Sequence, residues 1–351
     1  MNQGIRSAEK DRISSCSLAD KLAQACIAKY RGVCPTYGDS RQGVLAGIAA
    51  TVNDSEIEVL CIATGNKFSQ HVKSPTDSDK LRDCHAEVLV RRAFKHWLLS
   101  EWDRLKTQDN PTSRFFLLSR DFQLEVKPSV KLFLYITSAP CGNSCIRRWG
   151  QPQKEVFDST LDLLELPSQT HKIFHAHAKK EGQTAVLYKG SSDILSCSDK
   201  ILKWNVSGLQ GRRLHSLVKK PILLDGIVVG RKFVSVHAQR AFCCRLTSKQ
   251  VSREIRELVH HPVLMCSAVK FDDGTFQASD GEGAVFNSRS MWWTSGQSED
   301  LDGSTGFQTN GSISKLSASS IHERCMQLGV RGPSIEARLL CDLIKAELIK
   351  L

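Results

Sequence analysis

The sequence predicts an α/β layered domain. Apolar runs of β type alternate along the chain with runs of helical period, which argues for sheet and helix layers over a bundle or a sandwich. Hydrophobic residues make up 41% of the 351 and charged residues 24%. That is enough apolar material for a sizeable core, and too well mixed a composition for a disordered chain. The best continuous apolar stretch, Pro221–Gly230 (PILLDGIVVG), carries Asp225 and is about half the ~20 residues of a membrane span, so no spanning helix is expected.

The elements follow in order. Ser17 is placed to cap a helix, along which Leu18, Leu22 and Cys26 recur at i, i+4 and i+8. Gly43–Val52 (GVLAGIAATV) and Glu56–Thr64 (EIEVLCIAT) are β-type runs joined by the turn signal Asn53–Asp54–Ser55. His85–Trp102 reads as a helix with Val88, Leu89, Phe94, Trp97 and Leu98 on one apolar face and Arg91, Arg92 and Lys95 off it. Further apolar runs are Phe115–Leu118 and Lys131–Ser138. Residues 151–195 are polar and weakly patterned, a loop or insertion. Order resumes at Asp199–Val206, Ile222–Val229 is strongly β-like, and Ser248–Val259 reads as an amphipathic helix. Residues 294–315, rich in Gly, Ser and Asp, read as loop, and Pro333–Leu351 as a closing helix. One domain is expected over 17–351, behind a flexible N-terminus of residues 1–16.

Lys and Arg number 48 against 37 Asp and Glu, a net charge of +11 that points to a polyanionic partner. The 13 cysteines are odd in number, and the opening MNQGIRSAEKDR has no apolar leader. A reducing, intracellular setting is expected, cytoplasmic or nuclear, with most cysteines in the core and a few able to bind metal.

Three short pieces could carry chemistry: Asp83–Cys84–His85–Ala86–Glu87 at a helix start, Pro140–Cys141–Gly142 after a strand, and Ser196–Cys197–Ser198–Asp199–Lys200. One His and two Cys suit zinc, and three protein ligands leave a fourth position for water. Zinc lowers the pKa of such a water to about 7. Glu87, two residues from His85, is placed at a helix start where both side chains can reach one site and where a carboxylate can carry the proton. The order H-x-E followed by P-C-x-x-C marks zinc nucleobase deaminases. Here the second Cys of the pair falls one residue late, at Cys145, which competes with Cys197 as the third ligand. Taken singly, His85 and Glu87 would be a helix-capping pair, and Arg91 and Arg92 a solvated helix face. His260–His261 and His175 with His177 would be loop histidines, and Trp292–Trp293 packing residues.

Asp83–Arg92 (DCHAEVLVRR), Ser138–Gly142 (SAPCG) and Cys197–Asn205 (CSDKILKWN) together resemble the adenosine deaminases that act on RNA, most closely the branch of tRNA-specific adenosine deaminase 1. The resemblance runs from about Ala19 onward and is loose in 151–190 and 294–330. It implies a cytidine-deaminase-like fold, a mixed sheet with helices on both faces. It implies zinc on His85, Cys141 and Cys197, proton transfer by Glu87, and hydrolytic conversion of adenosine to inosine in tRNA, at the adenosine 3′ of the alanine anticodon. It also implies a buried inositol hexakisphosphate on Arg91, Arg92, Lys200, Lys203 and Trp204. The stretch Thr64–Gly65–Asn66–Lys67 resembles the nucleotide-binding loop, with Lys67 toward phosphate, Asn66 toward ribose and Val44 near the base.

The sequence departs from the family in three places. Asn143 stands where the family usually has Asp, and Lys189–Asp193 lacks a basic residue often found there. The chain also stops short of the family's last Tyr, Lys and Trp contacts to the inositol phosphate, which leaves that site incomplete on this reading. Too few residues precede the first helix for a double-stranded RNA-binding domain, so RNA is expected to dock on the domain's own basic surface. Two rival readings use the same residues: a cytidine deaminase, and a catalytically impaired RNA-binding paralogue or truncated form.

Overall fold

A computed structural model of the chain describes residues 17–33, 44–68, 78–109, 112–145, 195–271 and 289–350. The expected flexible N-terminus of residues 1–16, and all but Leu195 of the expected loop over 151–195, lie outside them.

The chain begins with α1 (Leu18–Val33), capped by Ser17, whose Oγ accepts from the Asp20 amide at 3.1 Å. Its buried stripe is Ala19, Leu22, Ala23, Cys26, Ile27 and Tyr30, while Leu18 is exposed. β1 (Leu45–Val52) and β2 (Glu56–Thr64) form the expected hairpin. Asn53 and Asp54 turn it with φ of 52° and 58°, a region these residues tolerate well. Short β3 (Asn66–Phe68) pairs with β4 (Asp83–His85). The helix expected from His85 is α2 (Ala86–Thr107), with His85 as the extended residue before it.

Next come β5 (Phe116–Leu118), β6 (Leu124–Val126) and β7 (Val130–Ser138), then α3 (Cys197–Ser207). The β-like run at 222–229 yields β8 only over Gly226–Arg231. After it stand α4 (Ser235–Phe242), α5 (Arg253–Leu258) and β9 (Val263–Cys266). The helix expected over 248–259 is thus one short segment.

The polar stretch from 294, expected as loop, instead holds strands. β10 (Arg289–Thr294) turns through Ser295 and Gly296, both at positive φ, into β11 (Gln297–Asp302), followed by β12 (Phe307–Gln308). A two-residue turn of that hand matches strand twist, and the polar Glu299 of β11 is buried with hydrogen bonds from Trp292 and Ser314. α6 (Ala318–Gln327) and α7 (Ile335–Lys350) close the chain.

Eight strands form one sheet in the order β12-β11-β10-β2-β1-β7-β8-β9. β7, β8 and β9 run parallel and the other pairs antiparallel. Alternation then sorts the side chains. Ala46, Ile48, Leu132, Leu134 and Ile136 face the core built on α2, whereas Leu45, Ala49, Phe133 and Tyr135 face α1. Gly47 lets α1 approach closely, because a Cβ there would press on the Cys26 sulfur. The expected mixed sheet with helices on both faces is what forms. A third apolar cluster joins Leu202 and Val206 of α3 to Ile344 and Leu348 of α7. Among the described residues no helix is long and apolar enough to cross a membrane.

Candidate metal centre and active site

Three elements deliver the candidate ligands: the end of β4 gives His85, the loop after β7 gives Cys141, and the start of α3 gives Cys197. Their donor atoms all lie within 4.8 Å of one another. The Cys197 amide donates to the Cys141 sulfur at 3.3 Å. Cys141 is held below the ordinary thiol range, first by the Cys197 S–H and further by His85, against burial. Of the two candidates for the third ligand it is Cys197 that joins the cluster. The side chain of Cys145 lies outside the described residues.

The local folding explains the convergence. Ser196 caps α3 in a capping box: its Oγ accepts from the Asp199 amide, and Asp199 Oδ2 accepts from the Ser196 amide at 3.0 Å. Gly142 has φ +93°, and a Cβ on it would collide with the Ser196 and Ser198 hydroxyls. Glycine therefore lets the Cys141 loop lie against the start of α3.

One residue that sequence reasoning passed over stands behind the site. Asp83 Oδ1 meets His85 Nδ1 at 2.6 Å, while its Oδ2 accepts from Lys200. This pairing leaves Nε2 of His85 for a metal, the usual way a carboxylate orients a ligand imidazole. Burial alone would raise the Asp83 carboxyl, but Lys200 and His85 outweigh it and hold it well below the usual range. The missed signal is spacing: Asp83 and His85 are i and i+2 on a strand and so share a face.

Glu87 is buried, and its Oε2 has no hydrogen-bond partner among the described residues. Its charge acts on His85, Cys141 and Cys197 alike, and burial pushes its own pKa up. An unpaired buried oxygen of this kind calls for a ligand or water. One imidazole, two thiols and a neighbouring carboxylate fit a zinc ion with an open position.

Arg91, Arg92, Lys200, Lys203 and Trp204 all line one cavity of about 1020 Å³, which shares Asp83 with the metal centre. Among the described residues eleven Lys and Arg line it, against two Asp. The Arg91 guanidinium stacks on Trp204, 4.9 Å from the ring centre, and its Nε has no partner among the described residues. Burial, then Arg92, lowers Arg91 to about 9. Burial followed by Arg91, Arg92 and Arg213 drives Lys95 well below its ordinary value. Cations crowded so closely fit a polyanion bearing several phosphates. Lys95, set aside earlier as merely off the apolar face, belongs to this wall.

Of the expected substrate residues, Asn66 lies opposite His85 in the β3–β4 pair. The Val44 carbonyl accepts from the Gly65 amide at 3.3 Å. Lys67 pairs with Cys84 through its backbone, and its side chain lies outside the described residues. Trp292 is buried, with Nε1 donating to Glu299 at 2.9 Å, so it packs as expected.

The mixed sheet brings one His and two Cys together at element starts beside a buried Glu, a donor set that could hold a metal ion. The chain belongs to the adenosine-deaminase (editase) domain family, whose profile matches residues 61–328. Among its relatives, a double-stranded RNA-specific adenosine deaminase of Mus musculus is 28% identical over 259 residues, covering 67% of this chain and 21% of that protein. A tRNA-specific adenosine deaminase 1 of Drosophila melanogaster is 26% identical, covering 59% of this chain and 54% of the relative. One of Saccharomyces cerevisiae is 27% identical, covering 72% and 69%. The match thus takes up about a fifth of the mouse protein's length and about half of the fly protein's.

Proposed function

We propose that this chain is a zinc-dependent hydrolase that converts adenosine to inosine in RNA. The observation that carries the reading is the buried Glu87 carboxylate, its Oε2 unpartnered, beside His85, Cys141 and Cys197. His85 Nε2 and the two sulfurs would hold the ion, which when bound makes water acidic enough to attack at neutral pH. Glu87 takes the water's proton on Oε2 and delivers it to the leaving nitrogen. Its raised pKa suits a group that must both accept and donate near neutrality. Water oxygen bonds to C6, the C6–N bond breaks, and ammonia leaves. The target base must first leave its stack. On the same resemblance Asn66 would meet the ribose, Val44 would lie near the base, and Lys67 would meet a phosphate.

The polyphosphate held by Arg91, Arg92, Lys200, Lys203 and Trp204 is inositol hexakisphosphate on this reading, and the working domain spans 17–351. The RNA is tRNA, edited at the adenosine 3′ of the alanine anticodon. The resemblance of the three motifs to the tRNA-specific branch, and the tRNA-specific relatives of Drosophila melanogaster and Saccharomyces cerevisiae, support this choice. The test is incubation of the purified protein with alanine tRNA, with a long RNA duplex and with single-stranded RNA. Inosine at that one tRNA position is expected. Inosine chiefly in the duplex would reassign the substrate, and uridine from cytidine would reassign the chemistry.

A further inference from the structure

A second cluster of soft ligands lies away from the site just described. Cys243 ends α4, Cys244 opens the following 3-10 turn Cys244–Thr247, and His261 sits in the segment leading into β9. The two sulfurs are 3.3 Å apart, and the Cys244 sulfur is 3.9 Å from His261 Nδ1. All three donor atoms lie within 4.8 Å of one another. The histidine belongs to the pair that sequence reasoning read as plain loop residues, because its cysteine partners stand 17 and 18 positions earlier.

The placement is fixed from behind. Asn205, buried in α3, donates Nδ2 to the Phe242 carbonyl at 2.8 Å, and its own carbonyl accepts from the His260 amide at 3.0 Å. His260 also meets the Leu224 carbonyl through Nε2 at 2.8 Å. One residue therefore clamps the backbone next to both halves of the cluster. Cys243 is buried, Cys244 half-buried and His261 exposed, so the open side faces solvent.

We infer that Cys243, Cys244 and His261 form a second metal site that takes a single thiophilic divalent cation of the zinc class, with water in the fourth position. Tetrahedral zinc with sulfur at ~2.3 Å and nitrogen at ~2.0 Å sets its ligand atoms roughly 3.5 to 3.8 Å apart. The observed 3.3 and 3.9 Å need only small side-chain adjustments. The segment also braces the first site. Arg240, three residues before Cys243, donates to Asn143 beside the Cys141 loop, and Arg245, one residue after Cys244, pairs with Asp199 at the start of α3. A cation on the two thiols and His261 would hold this brace at both ends.

The test is zinc stoichiometry of the full chain, saturated with zinc and then desalted, with cadmium–thiolate absorption as an independent readout. Wild type is expected to hold two ions, one for each cluster. Cys244→Ser and His261→Ala, both on the solvent side, should each hold one ion, that of the His85 centre, while Cys141→Ser should lose that ion and the activity. One ion in wild type, or an unchanged count in both Cys244→Ser and His261→Ala, would overturn the second site. The first site would stand or fall separately on Cys141→Ser.

Discussion

Asp83 spends one oxygen on His85 and the other on Lys200, so one carboxylate orients a metal ligand and ties the centre to the cation-lined cavity. Asp83→Asn should keep the fold but weaken zinc retention by about 10- to 100-fold, the usual loss when a carboxylate behind a ligand His is removed. Competition with a chelator measures it, and an affinity equal to wild type would contradict the role. The candidate ligands were legible as candidates because short motifs carry them. The sequence left Cys145 and Cys197 open, since i and i+4 can share a helix face. Only the fold brings Cys197 to His85. Asp83 was legible only once 83–85 is read as a strand, because on a helix its side chain would point away from that of His85.

Elements hold those residues in place through buried polar pairs. Arg245 and Asp199, both almost fully buried, form an ion pair at the start of α3, where Asp199 also completes the capping box. Arg245→Met would remove one cationic partner of that buried carboxylate, a loss of up to about 3–5 kcal/mol for a broken buried pair. Urea denaturation should show it, and Asp199→Asn in the same chain should recover part. Equal stability of Arg245→Met and wild type would contradict the bracing. Most elements were readable from period and turn signals, as in the β1–β2 hairpin and α2. β11, second from the sheet edge, was not, since a strand as polar as Gln297–Asp302 lacks the one-sided alternation of apolar residues that marks a half-buried strand. The run before β8 misled in the other direction: Ile222 and Leu224 are buried by packing without joining the ladder.

Across the whole molecule, eleven of the 48 Lys and Arg gather around one half-open cavity. Its wall spans α2, α3 and α7. α7 is fastened by Ile344 and Leu348 on the α3 cluster and by Lys203 donating to the Cys341 carbonyl at 3.0 Å. The like charges around Lys95 oppose folding unless an anion lies among them, since burial and Arg91, Arg92 and Arg213 all disfavour its protonated form. Lys95→Met should therefore raise Tm in polyphosphate-free protein and reduce the Tm gain that added inositol hexakisphosphate gives wild type. A fall in Tm without polyphosphate would contradict the account. The sequence showed the charge and part of the wall. It could not show that α7 lines the cavity, because that depends on how the third apolar cluster packs.

The proposed role of Glu87, moving the proton at a metal held by His85, Cys141 and Cys197, is tested most directly by comparing wild type and Glu87→Ala on one RNA sample, with inosine and bound zinc read from each protein. Equal zinc at the His85 centre and a loss of turnover of at least about 100-fold are expected. Near-normal inosine formation by Glu87→Ala would contradict that role.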